Sequence, residues 1–455
     1  MSYTHLSASD GIAQPSLDQS FGYDENDRIT SITTVTSSWA ISYDANGNRT
    51  GVTLNGNPSV YTTEATSNRL ASITNPARSF GYDNAGNTTT DSPNYTATYG
   101  LSGSLASITR AGITGTYSYD ADKRRIRKVT SAGANSTIVF VYDQGGHLLG
   151  EYDQSGKAIR EYVWLGDTPV AMFLPDPANA TGSPHVFYIH TDHLDAPRIV
   201  VDRNNQTRWR WLSESFGTTA PETNPQGLGD FTQNLRFPGQ YADAESGLWY
   251  NHHRYYGAAD GKYTQSDPIG LIGGVSTYAY VSGNPVSKVD PSGLLEHFML
   301  ALNGQSMSKL ECGCRESYPA FSGNPPYRND PDATTQANVG PAPEGWYYIV
   351  DRPTGGAVGQ VMSFLNGRDD WFALYRDDGT PGDTTMESGV LRREIRLHPK
   401  GPLGNSFGCV TLNNRDDYER LRERLLKTTT GIIPGTNIKY YGTILLYRPG
   451  VGGLW

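Results

Sequence analysis

Apolar and aromatic residues alternate with polar ones in short runs along the first 235 residues. Around Phe21-Gly-Tyr23-Asp24, Ile41-Ser-Tyr43-Asp44, Phe80-Gly-Tyr82-Asp83, Tyr117-Ser-Tyr119-Asp120 and Phe140-Val-Tyr142-Asp143 the period is two, as a half-buried strand requires. Asp44-Ala-Asn-Gly47 and Asp83-Asn-Ala-Gly86 supply the positive-φ residues of a tight hairpin turn. A second phrase recurs between them as Arg28-Ile-Thr-Ser-Ile-Thr33, Arg69-Leu-Ala-Ser-Ile-Thr74 and Leu105-Ala-Ser-Ile-Thr109. The repeating unit is a β-hairpin. One hairpin cannot bury a face alone, so the repeats are expected to stack into a sheet that propagates along the chain.

After Leu294 the repeats stop. Trp346–Val350, Trp371–Tyr375 and Tyr440–Tyr447 read as strands. One helix is signalled: Asn413 or Asn414 caps it, Asp416 and Asp417 favour its positive end, Tyr418, Leu421 and Leu425 form an apolar stripe, and Arg424 and Lys427 suit its last turn.

A chain of 455 residues exceeds what one core sustains, so two or more domains are expected. Its 51 glycines, 27 prolines and 29 tyrosines fit many short strands joined by turns, a mainly β protein. There are 20 basic and 28 acidic residues up to Leu294, and the remainder is close to balanced. This argues against broad electrostatic binding to nucleic acid. Three cysteines, two of them in Cys312-Gly-Cys314, make neither a disulfide framework nor a zinc ribbon, and Cys-Gly-Cys reads as an incidental turn. The N-terminus lacks the charged start and apolar run of a signal peptide, and no stretch is long enough to span a membrane. Synthesis in the cytoplasm and export by separate machinery are expected.

The candidate chemistry lies in Arg396-Leu-His398 and Ser406-Phe-Gly408-Cys409. A histidine can keep a thiol ionised, and a glycine beside the nucleophile lets a substrate carbonyl approach the backbone. A buried structural cysteine is the competing reading. A papain-like arrangement fits poorly, because there the cysteine precedes the histidine. His190 with His193, and His252 with His253, lack the spacing and third ligand of a metal site. No metal or cofactor is expected.

The Tyr-Asp phrases resemble the repeats of the Rhs family of polymorphic toxins. So do Tyr188-Ile-His190-Thr-Asp192-His193-Leu-Asp195-Ala-Pro197-Arg198, with Asp195 where the family has glycine, and the run from Arg236-Phe-Pro-Gly-Gln-Tyr through Arg254-Tyr-Tyr to Gly261-Lys-Tyr-Thr-Gln-Ser-Asp267-Pro-Ile-Gly270. The resemblance implies a flexible segment over 1–19, a repeat shell over 20–235 that fewer than 300 residues complete only in part, and an Rhs-associated core over 236–294. The doubled phrase Asp267-Pro-Ile-Gly270 and Asp290-Pro-Ser-Gly293-Leu294 implies self-cleavage between Leu294 and Leu295. Asp267 and Asp290 would share the acid and base work, as paired carboxylates do. A plain turn is the bland reading of each phrase. The resemblance also implies a cognate immunity protein and a secretion spike or adaptor as partners.

Residues 295–455 are similar to the L,D-transpeptidase-like effectors of type VI secretion through Tyr318-Pro-Ala-Phe-Ser322-Gly323, Asn338-Val-Gly340-Pro-Ala-Pro-Glu344-Gly345-Trp-Tyr347, Ile395-Arg396-Leu-His398 and Ser406-Phe-Gly408-Cys409. That likeness implies a small β-rich domain with one or two helices, Cys409 as nucleophile, His398 as its base, and Ser406 and Gly408 shaping the nucleophile's turn. The Gly408 and Cys409 amides are candidate oxyanion donors. Arg393 and Arg396 are candidates to hold a stem-peptide carboxylate. The implied activity is L,D-carboxypeptidase or L,D-transpeptidase exchange on peptidoglycan tetrapeptide stems in a target cell's periplasm. The rival expectation is a non-enzymatic surface or glycan-binding shell protein with an inactive C-terminal domain.

Overall fold

Each Tyr-Asp phrase ends a strand, and its aspartate builds the turn that follows. In the computed structural model the Asp120 carboxylate accepts the backbone N–H groups of Asp122 at 3.0 Å and Arg124 at 2.8 Å. Asp24, Asp44, Asp153 and Asp202 do the same for the residues two and four places on. The residue three after each aspartate lies in the left-handed region, whether it is Gly47, Gly156, Lys123 or Asn205. This is the three-residue hairpin loop with a bulge. Asp195, with φ of +64°, occupies that same place, and its carboxylate accepts a 2.7 Å bond from the Thr168 hydroxyl.

The bulge explains why the second phrase buries residues three apart rather than two. Tyr99 pairs with Leu105 while Thr98 pairs with Ser107, so Ala106 is the extra residue. Leu105 and Ile108 therefore point to one face, both at most 1% exposed. The tyrosine ties each strand to the one before: Tyr43 donates to Ile29 O at 2.9 Å, Tyr82 to Leu70 O at 2.9 Å and Tyr119 to Leu105 O at 2.8 Å.

Residues 1–294 form one compact unit and 295–455 another. The described residues are all except 1, 5–12, 134–135, 177–181, 269, 271–274, 295–296, 313–316, 354–369, 402–403, 429–430, 434–435, 437 and 450–455. Among them, the first unit holds a 20-stranded sheet from Ser2–Tyr3 to Thr207–Arg210. Its neighbours in the sheet are neighbours in sequence, and all pair antiparallel. A four-stranded sheet follows, made of Tyr241–Ala242, Trp249–Asn251, Arg254–Gly257 and Lys262–Tyr263. Its aromatic residues pack with Trp209, Trp211, Phe237 and Tyr280 in the larger core.

Among the described residues of the second unit, eight strands close on themselves. In order round the ring they are His297–Ala301, Ser308–Cys312, Ser317–Ser322, Val410–Leu412, Arg396–Pro399, Phe372–Arg376, Gly345–Asp351 and Lys439–Tyr447, which returns to the first. Closure removes the open edges that a sheet of this size would expose. The helix Arg415–Lys427 is capped by Asn414, whose side chain accepts the Asp416 N–H. It buries Tyr418, Leu421 and Leu425 completely against the barrel's core. No helix among the described residues is long and apolar enough to cross a membrane. Cys312 is disulfide-bonded, which corrects the expectation of an incidental turn there; Cys314 lies outside the described residues.

Candidate functional site

The strand Arg396–Pro399 runs parallel to Val410–Leu412, with Leu397 opposite Val410 and His398 opposite Thr411. Carrying the register back one residue sets Cys409 beside Arg396, on the same face as Thr411 and His398, because strand side chains alternate. Ser406, Gly408 and Cys409 form the turn into that strand. Phe407 and Gly408 have φ of +40° and +90°. The Ser406 hydroxyl donates to Cys409 O at 2.6 Å and accepts the Gly323 N–H at 3.3 Å, while the Ser406 N–H donates to Asn324 Oδ1 at 2.8 Å. The φ of Gly408 is one that favours glycine, and a Cβ there would also crowd an Arg392 nitrogen at 2.4 Å and Gly340 O at 3.2 Å. Phe407 is 63% exposed.

The Cys409 thiol is buried and donates to Glu394 O at 3.8 Å. Burial pushes it up to about 11, partly opposed by the positive fields of Arg396 and Arg392. Desolvation outweighs the nearby cations, so the thiol sits above its ordinary value. His398 has Nδ1 2.8 Å from Pro399 O and Nε2 3.3 Å from Thr411 Oγ1, and its ring stacks on Trp371. The Cys409 N–H donates to Ser406 O at 2.6 Å, so that amide is committed to the turn rather than to an oxyanion.

The two predicted arginines separate. Arg393 is exposed on the hairpin strand Val390–Arg393. Arg396 is buried and binds both oxygens of Asp383, with the Nη2–Oδ2 contact at 2.9 Å, so the carboxylate it holds is the protein's own. The arginine that reaches the nucleophile's turn is Arg392, buried and bonded to Thr334 O and, at 3.2 Å, to Gly340 O. Its alternation with Arg393 in sequence gave no sign of which side chain turns inward. Thr411 carries no motif signal of its own; only the parallel register reveals it.

In the first unit, Asp267 and Asp290 converge. Their Oδ2 atoms lie 3.0 and 3.3 Å from the same Arg254 Nη2. Asp290 Oδ2 accepts the Tyr263 hydroxyl at 2.7 Å, and its Oδ1 accepts the Leu294 N–H at 3.0 Å. Asn251 donates to the Tyr263 hydroxyl and to Asp290 O at 2.7 and 2.9 Å. Ser292 Oγ donates to Leu294 O at 3.2 Å. Leu295 lies outside the described residues. Arg254 belongs to the Arg254-Tyr-Tyr phrase, but nothing in its sequence context marks it as the shared cation.

His253 Nδ1 lies 3.0 Å from Ser292 O and His252 Nε2 3.0 Å from Asp122 O. Burial lowers these imidazoles to about 3 and about 4. His193 Nε2 lies 2.9 Å from Val286 O, and His190 is exposed on its strand. Among the described residues no group of three or more His, Cys, Asp or Glu side chains is arranged to hold a metal.

A family model described as the Teneurin YD-shell matches residues 9–272, and one described as the Tlde1 domain matches residues 316–436. Toxin protein Tse5 of Pseudomonas aeruginosa is 34% identical over 204 residues, which is 39% of this chain and 15% of that protein. Double-stranded DNA deaminase toxin A of Burkholderia cenocepacia (strain H111) is 32% identical over 248 residues, 47% of this chain and 17% of that protein. The crystal structure of TcdB2-TccC3-TEV shares the fold with a TM-score of 0.51 and 19% identity, over 63% of this chain and 16% of that one. The chain thus spans about a sixth of each of these proteins.

These matches support a β-rich YD shell followed by a small domain, and an Rhs-type polymorphic toxin. They also correct the expected enzyme class. Matched relatives are named as a DNA deaminase toxin, deoxyribonucleases and a tRNA nuclease, in conflict with a peptidoglycan L,D-transpeptidase or L,D-carboxypeptidase.

Proposed function

We propose, from the premise that this chain belongs to the Teneurin YD-shell family, that it is a secreted antibacterial toxin whose repeat unit ends in a self-cleaving carboxylate pair and whose C-terminal unit is the effector. The observation that carries this reading is the convergence of two buried aspartates on one guanidinium nitrogen, one of them bonded to the Leu294 amide. Buried carboxylates at such range are costly unless they are paired or used.

In the cleavage step, ionised Asp267 takes a proton from water and the water oxygen adds to the Leu294 carbonyl carbon. The aspartate pair, now carrying that proton, gives it to the departing Leu295 nitrogen. The products are a Leu294 carboxyl group and a new amine. In the released unit, Cys409 is the proposed nucleophile, His398 the group that accepts its proton once the ring turns from Thr411, and Ser406 and Gly408 the residues that shape its turn. A cognate immunity protein and a delivery apparatus are the proposed partners.

The test pairs a denaturing gel of the full chain with toxicity of the effector unit. A fragment of residues 295–455 from the wild type but not from Asp290→Asn supports release; a fragment from both removes Asp290 from the step. The neutral, buried thiol favours a second reading, a binding module with a structural cysteine. Toxicity unchanged in Cys409→Ala would select it.

A further inference from the structure

The first unit holds a cavity of about 40 Å³, lined in part by Arg49, Tyr61, Phe216, Asp260, Lys262 and Tyr280. Among the described residues, three buried polar atoms on its wall have no hydrogen-bond partner: Arg49 Nη2, Lys262 Nζ and Tyr280 Oη. All three are donors, and a buried donor without a partner is costly, most of all when it is charged.

The charges on this wall do not balance. Asp260 is committed to Arg78, with bonds of 2.6 and 2.8 Å, and Arg78 also binds Asp91. On the wall itself two cations, Arg49 and Lys262, therefore face one carboxylate, Asp260, whose oxygens Arg78 already holds. The Arg49 guanidinium carbon lies over the Phe216 ring at 4.0 Å, and the Lys262 ammonium faces the Tyr278 ring at 5.1 Å. These contacts soften the charges without neutralising them. Gly261 permits the arrangement: a Cβ there, at a φ of +62°, would lie 2.0 Å from Arg49 Nη2.

Water could satisfy the donors, since such a volume admits about three molecules, but water cannot cancel the surplus charge. We propose that this cavity binds one small oxyanion of the phosphate or carboxylate class, held by Arg49 Nη2, Lys262 Nζ and the Tyr280 hydroxyl. A compact oxyanion offers an acceptor to each donor and supplies the missing negative charge in one step. Burial lowers the Lys262 ammonium to about 8, with Asp260 the largest opposing attraction, which is the condition of a cation short of a partner.

The experiment is thermal unfolding of the full chain over a titration of inorganic phosphate, then of acetate, with sodium chloride holding the ionic strength constant. A specific site gives a shift that saturates, whereas general salting effects rise without saturation. The expected result is saturation with phosphate or acetate in the wild type, and a half-saturating concentration raised about tenfold or more in Lys262→Met, as expected for loss of a charge-assisted bond. Tyr280→Phe, which removes only one hydroxyl, is expected to raise it by a smaller factor and covers the case in which Lys262→Met fails to fold. Saturation with one anion but not the other tells phosphate from carboxylate. No saturating shift with either, or equal shifts in the wild type and Tyr280→Phe, overturns the proposal.

Discussion

The imidazole of His398 lies flat on the indole of Trp371, with ring centroids 4.1 Å apart and planes within 16°. The stack fixes the ring in a pose where both nitrogens face oxygen atoms, of Pro399 and Thr411. Trp371→Leu removes a contact of this type, worth about 0.5–1.5 kcal/mol, and frees the ring. The His398 proton resonances should lose their ring-current shift in that variant. Resonances that stay put would show that the stack does not hold in solution.

Cys409 makes stability depend on alkaline pH. Its thiol is held at about 11 when folded, above the ordinary value of 9.0, so the folded state keeps its proton more tightly. The contribution is complete below about pH 9 and is lost as the pH rises towards 11. Urea midpoints of the wild type should fall across that window more steeply than those of Cys409→Ala, and parallel curves would contradict the burial of the thiol.

Asp383 pairs with Arg396, the cation that most opposes the rise of the Cys409 thiol. With Asp383→Asn, the positive field of Arg396 on Cys409 is no longer cancelled, so more thiolate forms at a given pH. Iodoacetamide labelling at pH 8 should quicken several-fold relative to the wild type. Unchanged rates would place Arg396 too far from the sulfur to matter.

Arg254 separates two buried carboxylates. Arg254→Met leaves them facing one another without a cation, a change of the class that costs about 3–5 kcal/mol. The melting temperature of the full chain should drop by several degrees, and a second substitution, Asp267→Asn, should recover part of the loss. A double variant no more stable than the single one would contradict the coupling.

Lys123 holds a φ of +62° in a turn where other repeats use glycine. Lys123→Gly should stabilise the first unit by about 1 kcal/mol, the usual penalty for a side chain in that region. Asp195→Gly should gain less, because it gives up the bond from the Thr168 hydroxyl. Equal gains at both sites, read from denaturant midpoints, would remove that bond from the account.

The repeat sheet was legible because its information is local. Tyr43 with Asp44, or Tyr119 with Asp120, carries the strand, the turn and the tie to the preceding strand within a few residues. The helix over Arg415–Lys427 was equally local, its cap and apolar stripe lying within one short segment. The sites were legible only in part. Cys409, His398, Asp267 and Asp290 stand out by motif, but the groups that surround them arrive from distant segments. Arg392 reaches Gly408 from a hairpin, Thr411 meets His398 through a parallel pairing, and Arg254 meets Asp290 from 36 residues away. Neither spacing nor composition encodes such meetings. The burial of the Cys409 thiol was hidden for the same reason, since it is a property of the packed barrel and not of the Ser-Phe-Gly-Cys segment.

The barrel's closing pair sets an order on synthesis. His297–Ala301 pairs with Lys439–Tyr447, strands at opposite ends of the unit, so the ring cannot shut until the ribosome has released the last of them. The 20-stranded sheet imposes no such wait, because every strand finds its partner in the segment just made. Contacts of short sequence separation form early and a distant pair late. The repeat sheet is therefore expected to be folded before the strands that carry Cys409 and His398 are locked into register.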